Sequence, residues 1–180
     1  MEIDVPASVR SVRVVSPLSV APIMGPQGQQ LLPCITTDVC GAVGISAGAV
    51  VMPPGRWSRP HLHRHSEIVV CCIVGSAVTL VGPELEPVAH GPGEFIHIPA
   101  GVAHVAVNLS TSDVLVAVEM RTDPHFNDDV VLLPELDDRV GPAAARAQAA
   151  HAAHAATPGP GTGVSLWESL GRRAAEPAPS

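Results

Sequence analysis

The chain has 180 residues, of which 46% are apolar, and a formal net charge of −7 at pH 7. All 10 basic residues are arginines and the chain has no tyrosine, which excludes Schiff-base catalysis by lysine, a P-loop lysine and a tyrosine acid or base. The sequence has 2 Phe, 2 Trp and no cluster of cations, so it offers neither the charge nor the stacking rings that bind nucleic acid, and no basic surface for an anionic membrane.

The amino terminus and the cysteines bear on the compartment. The opening MEIDVPASVR lacks the basic and apolar regions of a signal peptide. The longest weakly polar runs, 39–52 and 68–82, are shorter than the roughly 20 residues that span a bilayer. Because 4 cysteines in a chain of this length do not make a disulfide framework, we expect a reduced, cytoplasmic protein with no membrane partner.

The predicted elements fall into three regions. Residues 1–34 alternate valine with polar groups and are interrupted by prolines, which predicts an extended N-terminal arm with room for one strand. Residues 35–140 carry short β-rich runs separated by Gly/Pro turns, a pattern that indicates an antiparallel sandwich or barrel. The predicted strands are Ala42–Met52, Ile68–Val74, Ala77–Val81, Glu94–Ile98, His104–Asn108 and Val114–Met120.

Residues 141–180 form a C-terminal extension rich in Ala, Pro and Gly, expected to be partly helical or disordered. The stretch 143–156 has a high helix propensity but almost no large apolar side chain to dock, so we expect a solvated or frayed helix. A Gly/Pro linker at Pro158–Gly163 and a short helix over 165–173 are expected to follow.

The predicted strand Ile68–Val74 is apolar on both faces, whereas antiparallel strands usually keep one polar face toward water. The second face must therefore be covered, either by the N-terminal arm or by another subunit. We expect a homodimer.

Metal-ligating side chains are concentrated between residues 55 and 67. In an extended segment residues i and i+2 project to the same side, so His61 and His63 point together and Glu67 shares their parity. Two imidazoles and a carboxylate make three ligands for a divalent cation, and His104, after the turn at 99–101, is a fourth candidate.

At this point the sequence resembles the cupin superfamily, specifically the small stand-alone RmlC-like cupins. The second cupin motif, G-x5-P-x-G-x2-H-x3-N, is met at all its fixed positions: Gly93, Pro99, Gly101, His104 and Asn108. The first motif, G-x5-H-x-H-x3-E-x6-G, is met at Gly55, His61, His63 and Glu67, but seven residues separate Glu67 from Gly75.

The departure in the first motif bears on the fourth ligand. The usual variant with four residues before the glutamate would put the ligand at Ile68, so we assign Glu67 as the carboxylate and expect a shift or a bulge in the strand that follows. The resemblance covers about residues 42–122 and implies an all-β cupin jelly-roll barrel with the metal at its mouth. Small cupins with Arg121-Thr-Asp123-Pro and Val130–Glu135 past the barrel are found beside amino-acid-activating enzymes of hydrazine-forming pathways, an analogy at group level.

Other side chains near the motifs have weaker roles. His65 shares the ligands' parity and His97 precedes His104 by one strand, so both are candidate catalytic residues that would shuttle a proton or line the pocket. Arg56, Arg59 and Arg64 could bind a substrate carboxylate. We expect His151 and His154 to be solvated and the acids to form a solvated edge: Asp128, Asp129, Glu135, Asp137 and Asp138.

The leading hypothesis is a metalloenzyme of small-molecule, specialised metabolism. Its substrate would be a small polar acid or amino acid that chelates zinc, iron or manganese, with nickel as a further option, and the chemistry would be oxygenation or N–N bond (hydrazine) formation. The alternatives are a non-catalytic cupin that binds or senses a small molecule, a phosphosugar isomerase, and a structural barrel with a vestigial site.

Overall fold

The computed structural model describes residues 12–155, and this part of the chain is built mainly from β-strands. The strands are β1 (Ile23–Met24), β2 (Gln30–Ile35), β3 (Ser46–Met52), β4 (His61–His63), β5 (Ile68–Val74), β6 (Ala77–Val81), β7 (Glu86–His90), β8 (Phe95–Ile98), β9 (His104–Asn108), β10 (Leu115–Arg121) and β11 (Val130–Leu132). The α-helices are α1 (Thr37–Cys40) and α2 (Asp137–Ala155), with 3-10 turns at Pro17–Ser19 and Pro134–Leu136.

The strands form two antiparallel sheets that enclose the core. The larger sheet has the order β1-β2-β3-β10-β5-β8 and the smaller one the order β11-β4-β9-β6-β7. Sequence neighbours lie in different sheets at several points, as in a jelly roll with its Greek-key connections. The predicted all-β jelly roll is therefore confirmed.

Alternation along the strands sets which side chains face the inside. In β10 the buried residues Leu115, Ala117, Glu119 and Arg121 alternate with half-buried ones, because successive side chains of a strand point to opposite faces. Met52 of the larger sheet and Ala77 of the smaller one meet in a cluster between the sheets. A charged pair therefore interrupts an otherwise apolar inner face of β10.

The N-terminal arm is more integrated than its sequence predicts. Strand β2 pairs along β3, and Leu31 is fully buried against Val50 and Phe126. The predicted strand over 42–52 begins only at Ser46 in the structure. Residues 42–45 form a loop after helix α1, which Thr36 caps at its start and Gly41 ends with a left-handed backbone (φ 74°).

Strand β7 was not predicted, because its sequence, EPVAH, contains a proline. It pairs with β6 alone and forms the edge of the smaller sheet. Since an edge strand needs hydrogen bonds on one side only, Pro87 is tolerated there. The missed strand ends at the buried His90.

Helix α2 corrects the expectation of a solvated helix. Val140, Ala143 and Ala144 are buried on the outer face of the smaller sheet, against Val105 and Val107 among others. The small alanine side chains let the helix lie close to the sheet, so α2 packs there without large apolar side chains. From Ala149 onward it is largely exposed, as expected.

None of the described helices is long and apolar enough to cross a membrane. The predicted linker and the helix over 165–173 lie outside the described residues.

Strand β5 contains the expected irregularity. Val116 of β10 pairs with Val74 and Ala117 pairs with Cys72, which leaves Ile73 without a partner in the register. An extra residue in one strand of a pair is a β-bulge. The predicted bulge before Gly75 is thus present, although the carboxylate assignment that accompanied it is wrong, as described below.

Candidate metal centre

Three histidines converge between the sheets. His61 and His63 lie on β4, His104 lies on β9, and His61 is the register partner of His104. All three are buried, with 2%, 1% and 5% of their surface exposed. Their ring centroids are 4.3 Å apart for His61–His104 and 5.4 Å apart for the other two pairs. One ring nitrogen from each histidine lies within 4.8 Å of the other two.

Hydrogen bonds fix which nitrogen of each ring is free. The Nδ1 of His61 lies 2.8 Å from the Arg59 carbonyl oxygen, and that of His104 lies 2.9 Å from the Val102 carbonyl oxygen. A carbonyl only accepts, so both Nδ1 atoms carry the proton and donate it. Each Nε2 then keeps its lone pair, which is the form of imidazole that binds a metal ion.

Asp129 fixes the third histidine in the same way. Its Oδ1 lies 3.1 Å from His63 Nδ1, and its Oδ2 accepts hydrogen bonds from the amides of His65 and Ser66 and from the Ser66 hydroxyl. The side chain of Asp129 is 12% exposed, so the prediction that it belongs to a solvated edge is wrong. The buried His63 Nε2 has no hydrogen-bond partner in the described part of the protein.

The surroundings keep the cluster uncharged. Burial lowers the pKa of His104 to about 4, and burial together with the neighbouring His104 holds the pKa of His61 well below its usual value. Burial also lowers the pKa of His63, aided by the nearby Arg121. Burial alone would raise the pKa of Asp129, but the hydrogen bonds from Ser66, His65 and His63 outweigh it and lower that pKa. At neutral pH the site therefore has three neutral imidazoles beside one carboxylate.

Glu67 does not join the cluster, which corrects the predicted fourth ligand. Its side chain is 61% exposed and its Oε2 lies 2.9 Å from Nε2 of His97 on the outer surface. The parity argument fails because residues 64–67 bend instead of continuing the strand, and the bend is held by Asp129. Ile68, the position of the longer motif variant, faces inward and is 1% exposed.

The carboxylate that faces the inside comes from β10. Glu119 is 6% exposed, lines the cavity between the sheets and lies 2.9 Å from Nη2 of the fully buried Arg121, as an ion pair and not as an aligned hydrogen bond. Arg121 also donates to Asn127 and lies 4.6 Å from the ring centre of Phe126. Both loop residues adopt positive φ angles, and Asp123 holds the loop by accepting the amides of Asn127 and Asp128.

A narrow cavity of about 40 Å³ adjoins His61 and His104. Its walls are mainly apolar: Val50, Met52, Val70, Ala77, Ile98, Ala106, Leu115 and Ala117. Its polar lining residues are Gln29, His61, Thr79, His90, His104 and Glu119. The cavity has room for a few ordered water molecules, and its apolar walls carry a small set of polar groups.

The other predicted site residues lie outside this cavity. His97 is 54% exposed and pairs with Glu67, and His65 is exposed on the bend. Arg59 pairs with Asp137 at 3.4 Å beside helix α2, where Arg56 lines the same outer groove. Arg64 is exposed on the bend after β4. None of these five lines the histidine cavity, so their predicted roles as catalytic or substrate-binding residues are not supported by their positions.

Sequence reasoning missed Asp129, Glu119, Arg121 and His90. Strand alternation could have identified two of them. Glu119 and Arg121 lie two and four residues after Ala117, which follows the inward-facing Leu115, so the same alternation predicts a charged pair on the inner face of β10. Asp129 gave no signal, because it reaches His63 through the pairing of β11 with β4, which joins distant parts of the chain. His90 followed from β7, which was itself missed.

Comparison with known proteins agrees with this architecture. Residues 48–119 match the model of the family described as "Cupin domain". An oxalate decarboxylase from Lactobacillus farciminis, solved as a formate complex, superposes with a TM-score of 0.55 at 21% identity over 66% of this chain and 35% of that one. The polyketide cyclase RemF from Streptomyces resistomycificus gives a TM-score of 0.56 at 20% identity over 68% of this chain and 86% of that one.

A Bacillus subtilis oxalate decarboxylase also matches, with a TM-score of 0.55 and 21% identity over 64% of this chain and 30% of that one. The chain thus spans about a third of the length of these decarboxylases. At such identities the likeness shows the fold alone. A comparison with curated proteins gave no match. Residues 48–119 therefore match a cupin domain, and the jelly roll with its motif glycines and histidines agrees with that match.

Proposed function

We propose that His61, His63 and His104 hold one divalent transition-metal ion and that the protein is a metalloenzyme acting on a small molecule. One observation carries this proposal: each of the three buried rings uses Nδ1 in a hydrogen bond to an acceptor, and the buried Nε2 of His63 has no partner within residues 12–155. A buried polar atom without a partner costs about 1–3 kcal/mol, which a coordinated cation would offset.

The donor set narrows the choice of metal. Three imidazoles suit zinc, iron, nickel or copper, whereas manganese prefers oxygen ligands. Glu67 is 61% exposed and so adds no oxygen ligand to the three imidazoles. When bound, the ion would supply Lewis-acid activation or a site for redox chemistry at its open positions.

The protein's own residues would bind the substrate and exclude water. The apolar walls leave Glu119 as the acidic group on the cavity, and its charge is balanced by Arg121. Among residues 12–155 no arginine lines the cavity, so a phosphorylated sugar would find no cationic partner in this part of the chain. We infer a substrate with one acidic or carbonyl head that reaches the ion, a small organic acid or amino acid. Oxygenation and N–N bond formation are the two candidate reactions for such a substrate.

Metal content tests the proposal directly. Protein purified without added metal or chelator is analysed for its elements beside two variants, His104→Ala and Glu67→Gln. We expect about one transition-metal ion per wild-type chain, its loss in His104→Ala and its retention in Glu67→Gln. Zinc would favour Lewis-acid chemistry, and iron would direct assays to oxygen uptake. Wild-type protein that stays metal-free after reloading would refute the metal site.

A metal-loaded protein whose ion exchanges no ligand with small acids would instead support the non-catalytic binding cupin. This outcome is measured by replacing the ion with Co²⁺ and following its visible bands during titration with acetate, glycine and other small acids. Band shifts would support substrate coordination at open positions, whereas unchanged bands would contradict the enzyme.

We also propose that the outer face of the larger sheet forms a homodimer. This face is lined by apolar residues that neighbour cavity-lining residues along their strands and therefore point outward: Val51, Val69, Val118 and Met120. Phe95 lies beside them and is 64% exposed. Val12, Val14 and Leu18 of the arm are 95–98% exposed, so these three apolar side chains do not pack on this face. This face is mainly apolar, with the exposed pair of His97 and Glu67 beside Val69, and a two-fold pair would bring the same face of both copies together.

The oligomeric state tests this interface. We expect sedimentation equilibrium to give a dimer for the wild type, a monomer for Val118→Glu and a dimer for the control Val114→Glu, which changes an exposed valine in the loop before β10. A wild-type monomer at micromolar concentration, or a dimeric Val118→Glu, would refute the assignment.

A further inference from the structure

We propose that the cavity has a second polar subsite, formed by Thr79 of β6 and His90 at the end of β7. The inference rests on the proposed function, since it concerns the same cavity. It assigns the ligand class: a short molecule with a metal-binding acidic head, an apolar middle and a neutral hydrogen-bonding tail such as a hydroxyl, carbonyl or amide.

The ring of His90 is built into the cavity wall and is incompletely satisfied. His90 is 9% exposed, and its Nε2 lies 3.0 Å from the Thr79 hydroxyl oxygen. Its Nδ1 is buried and has no hydrogen-bond partner among the described residues. Both residues line the cavity that also touches His61 and His104. Because buried polar atoms are nearly always paired, an open Nδ1 at a cavity points to a ligand or an ordered water.

The strand register places His90 far from the metal ligands, whereas Thr79 lies nearer, because it pairs with Ala106, two residues from His104. His104 pairs with Val81, and Val81 pairs with Glu86, whereas His90 ends the same strand four residues later. Two strand spacings and four residues separate the two positions by about 16 Å along the sheet surface. The side chains converge into one cavity from these two positions. A ligand that reaches both must therefore have a chain between its two polar ends.

The walls between the two ends define the rest of the ligand. Met52, Ala77, Ala106 and Leu115 pack together beside the subsite. Burial lowers the pKa of His90, so its ring is neutral at physiological pH and offers a hydrogen bond and not a charge. Glu119 and Arg121 neutralise each other closer to the histidines. The tail of the ligand is therefore uncharged.

The test uses Co²⁺-loaded protein and matched pairs of carboxylic acids. Each pair replaces a terminal hydroxyl by a methyl group: γ-hydroxybutanoate with pentanoate, and δ-hydroxypentanoate with hexanoate. Dissociation constants are read from the visible bands of the cobalt ion. We expect the wild type to bind the hydroxy member of one pair about tenfold more tightly, as one good buried hydrogen bond allows. His90→Leu should lose this preference, and His90→Gln should keep part of it.

The control is His97→Leu, which changes an exposed histidine outside the cavity and should retain the preference. The cobalt spectrum without acid reports whether each variant is folded around its metal. If the wild type shows no preference in either pair, if no acid perturbs the spectrum, or if His90→Leu keeps the preference, the subsite is refuted while the metal site stands. If Co²⁺ itself does not bind, the proposed function fails and this inference fails with it.

Discussion

Asp129→Asn tests whether the Asp129 carboxylate holds His63 in the tautomer whose Nε2 is free to bind a metal ion. In the wild type Asp129 Oδ2 accepts three hydrogen bonds from His65 and Ser66, and Oδ1 accepts the Nδ1 proton of His63. The asparagine oxygen will take the Oδ2 position, where three donors converge. Its NH₂ group then faces His63 Nδ1, and two donors cannot face each other.

The imidazole must therefore change its tautomer. His63 will protonate Nε2 and accept at Nδ1, which removes the lone pair from the metal side. Loss of such an outer carboxylate lowers metal affinity by about 10–100-fold. We expect the Kd for Zn²⁺ to rise by this factor, measured by competition with a chromophoric chelator, and the ring ¹⁵N shifts of His63 to report the exchanged tautomer in the metal-free protein.

The matched control is Asp128→Asn, which removes the same charge from the neighbouring exposed carboxylate. It should leave the Kd unchanged within about twofold, because loss of a screened surface charge has a small effect. A Kd in Asp129→Asn that matches the control, or His63 ring shifts that do not move, would refute the reasoning.

Three further predictions concern stability. The pKa of His104 is about 4 in the folded protein, below its ordinary value of 6.5, so near pH 5 the unfolded chain binds a proton that the folded protein does not. Urea unfolding with chelator present should therefore show the metal-free protein about 2 kcal/mol less stable near pH 5 than near pH 8. Equal stabilities would contradict the burial of a neutral ring. Phe126→Ala should lower the free energy of unfolding by about 3–5 kcal/mol, since a fully buried ring is removed, and a loss below about 1 kcal/mol would mean that the loop is not anchored. Glu119→Gln should cost about 3 kcal/mol in the same assay, because it leaves the cation of Arg121 buried without its counter-charge, and an unchanged midpoint would show that this ion pair is dispensable.

Much of the fold could be predicted from local pattern. The bounds of β5, β6 and β9 agree with the predicted strands, because apolar alternation and Gly/Pro turns both mark them. The same reasoning failed where the chain obeys a tertiary constraint. The proline-containing β7 is stable only as an edge strand, and the alanine-rich α2 docks only because a sheet of valines lies beneath it.

The histidines of the site could be predicted because short-range geometry decides them. His61 and His63 share one strand face, and the turn at 99–101 brings His104 beside them. Glu67 could not be placed by parity, since a bend between residues 63 and 68 breaks the alternation, and that bend depends on Asp129. Contacts across more than sixty residues, such as His63 with Asp129, leave no local trace in a sequence.

The link between Asp129 and His63 also determines when the site matures during synthesis. A ribosome that has released the chain through residue 119 has already delivered all three imidazoles and the whole segment that matches the family. The group that orients His63 is still to be made, as are Arg121 and Asn127. Expression of 48–119 alone would therefore yield the recognisable signature without the groups that prepare it for metal. The segment that matches the family model is therefore shorter than the segment that a complete metal site requires.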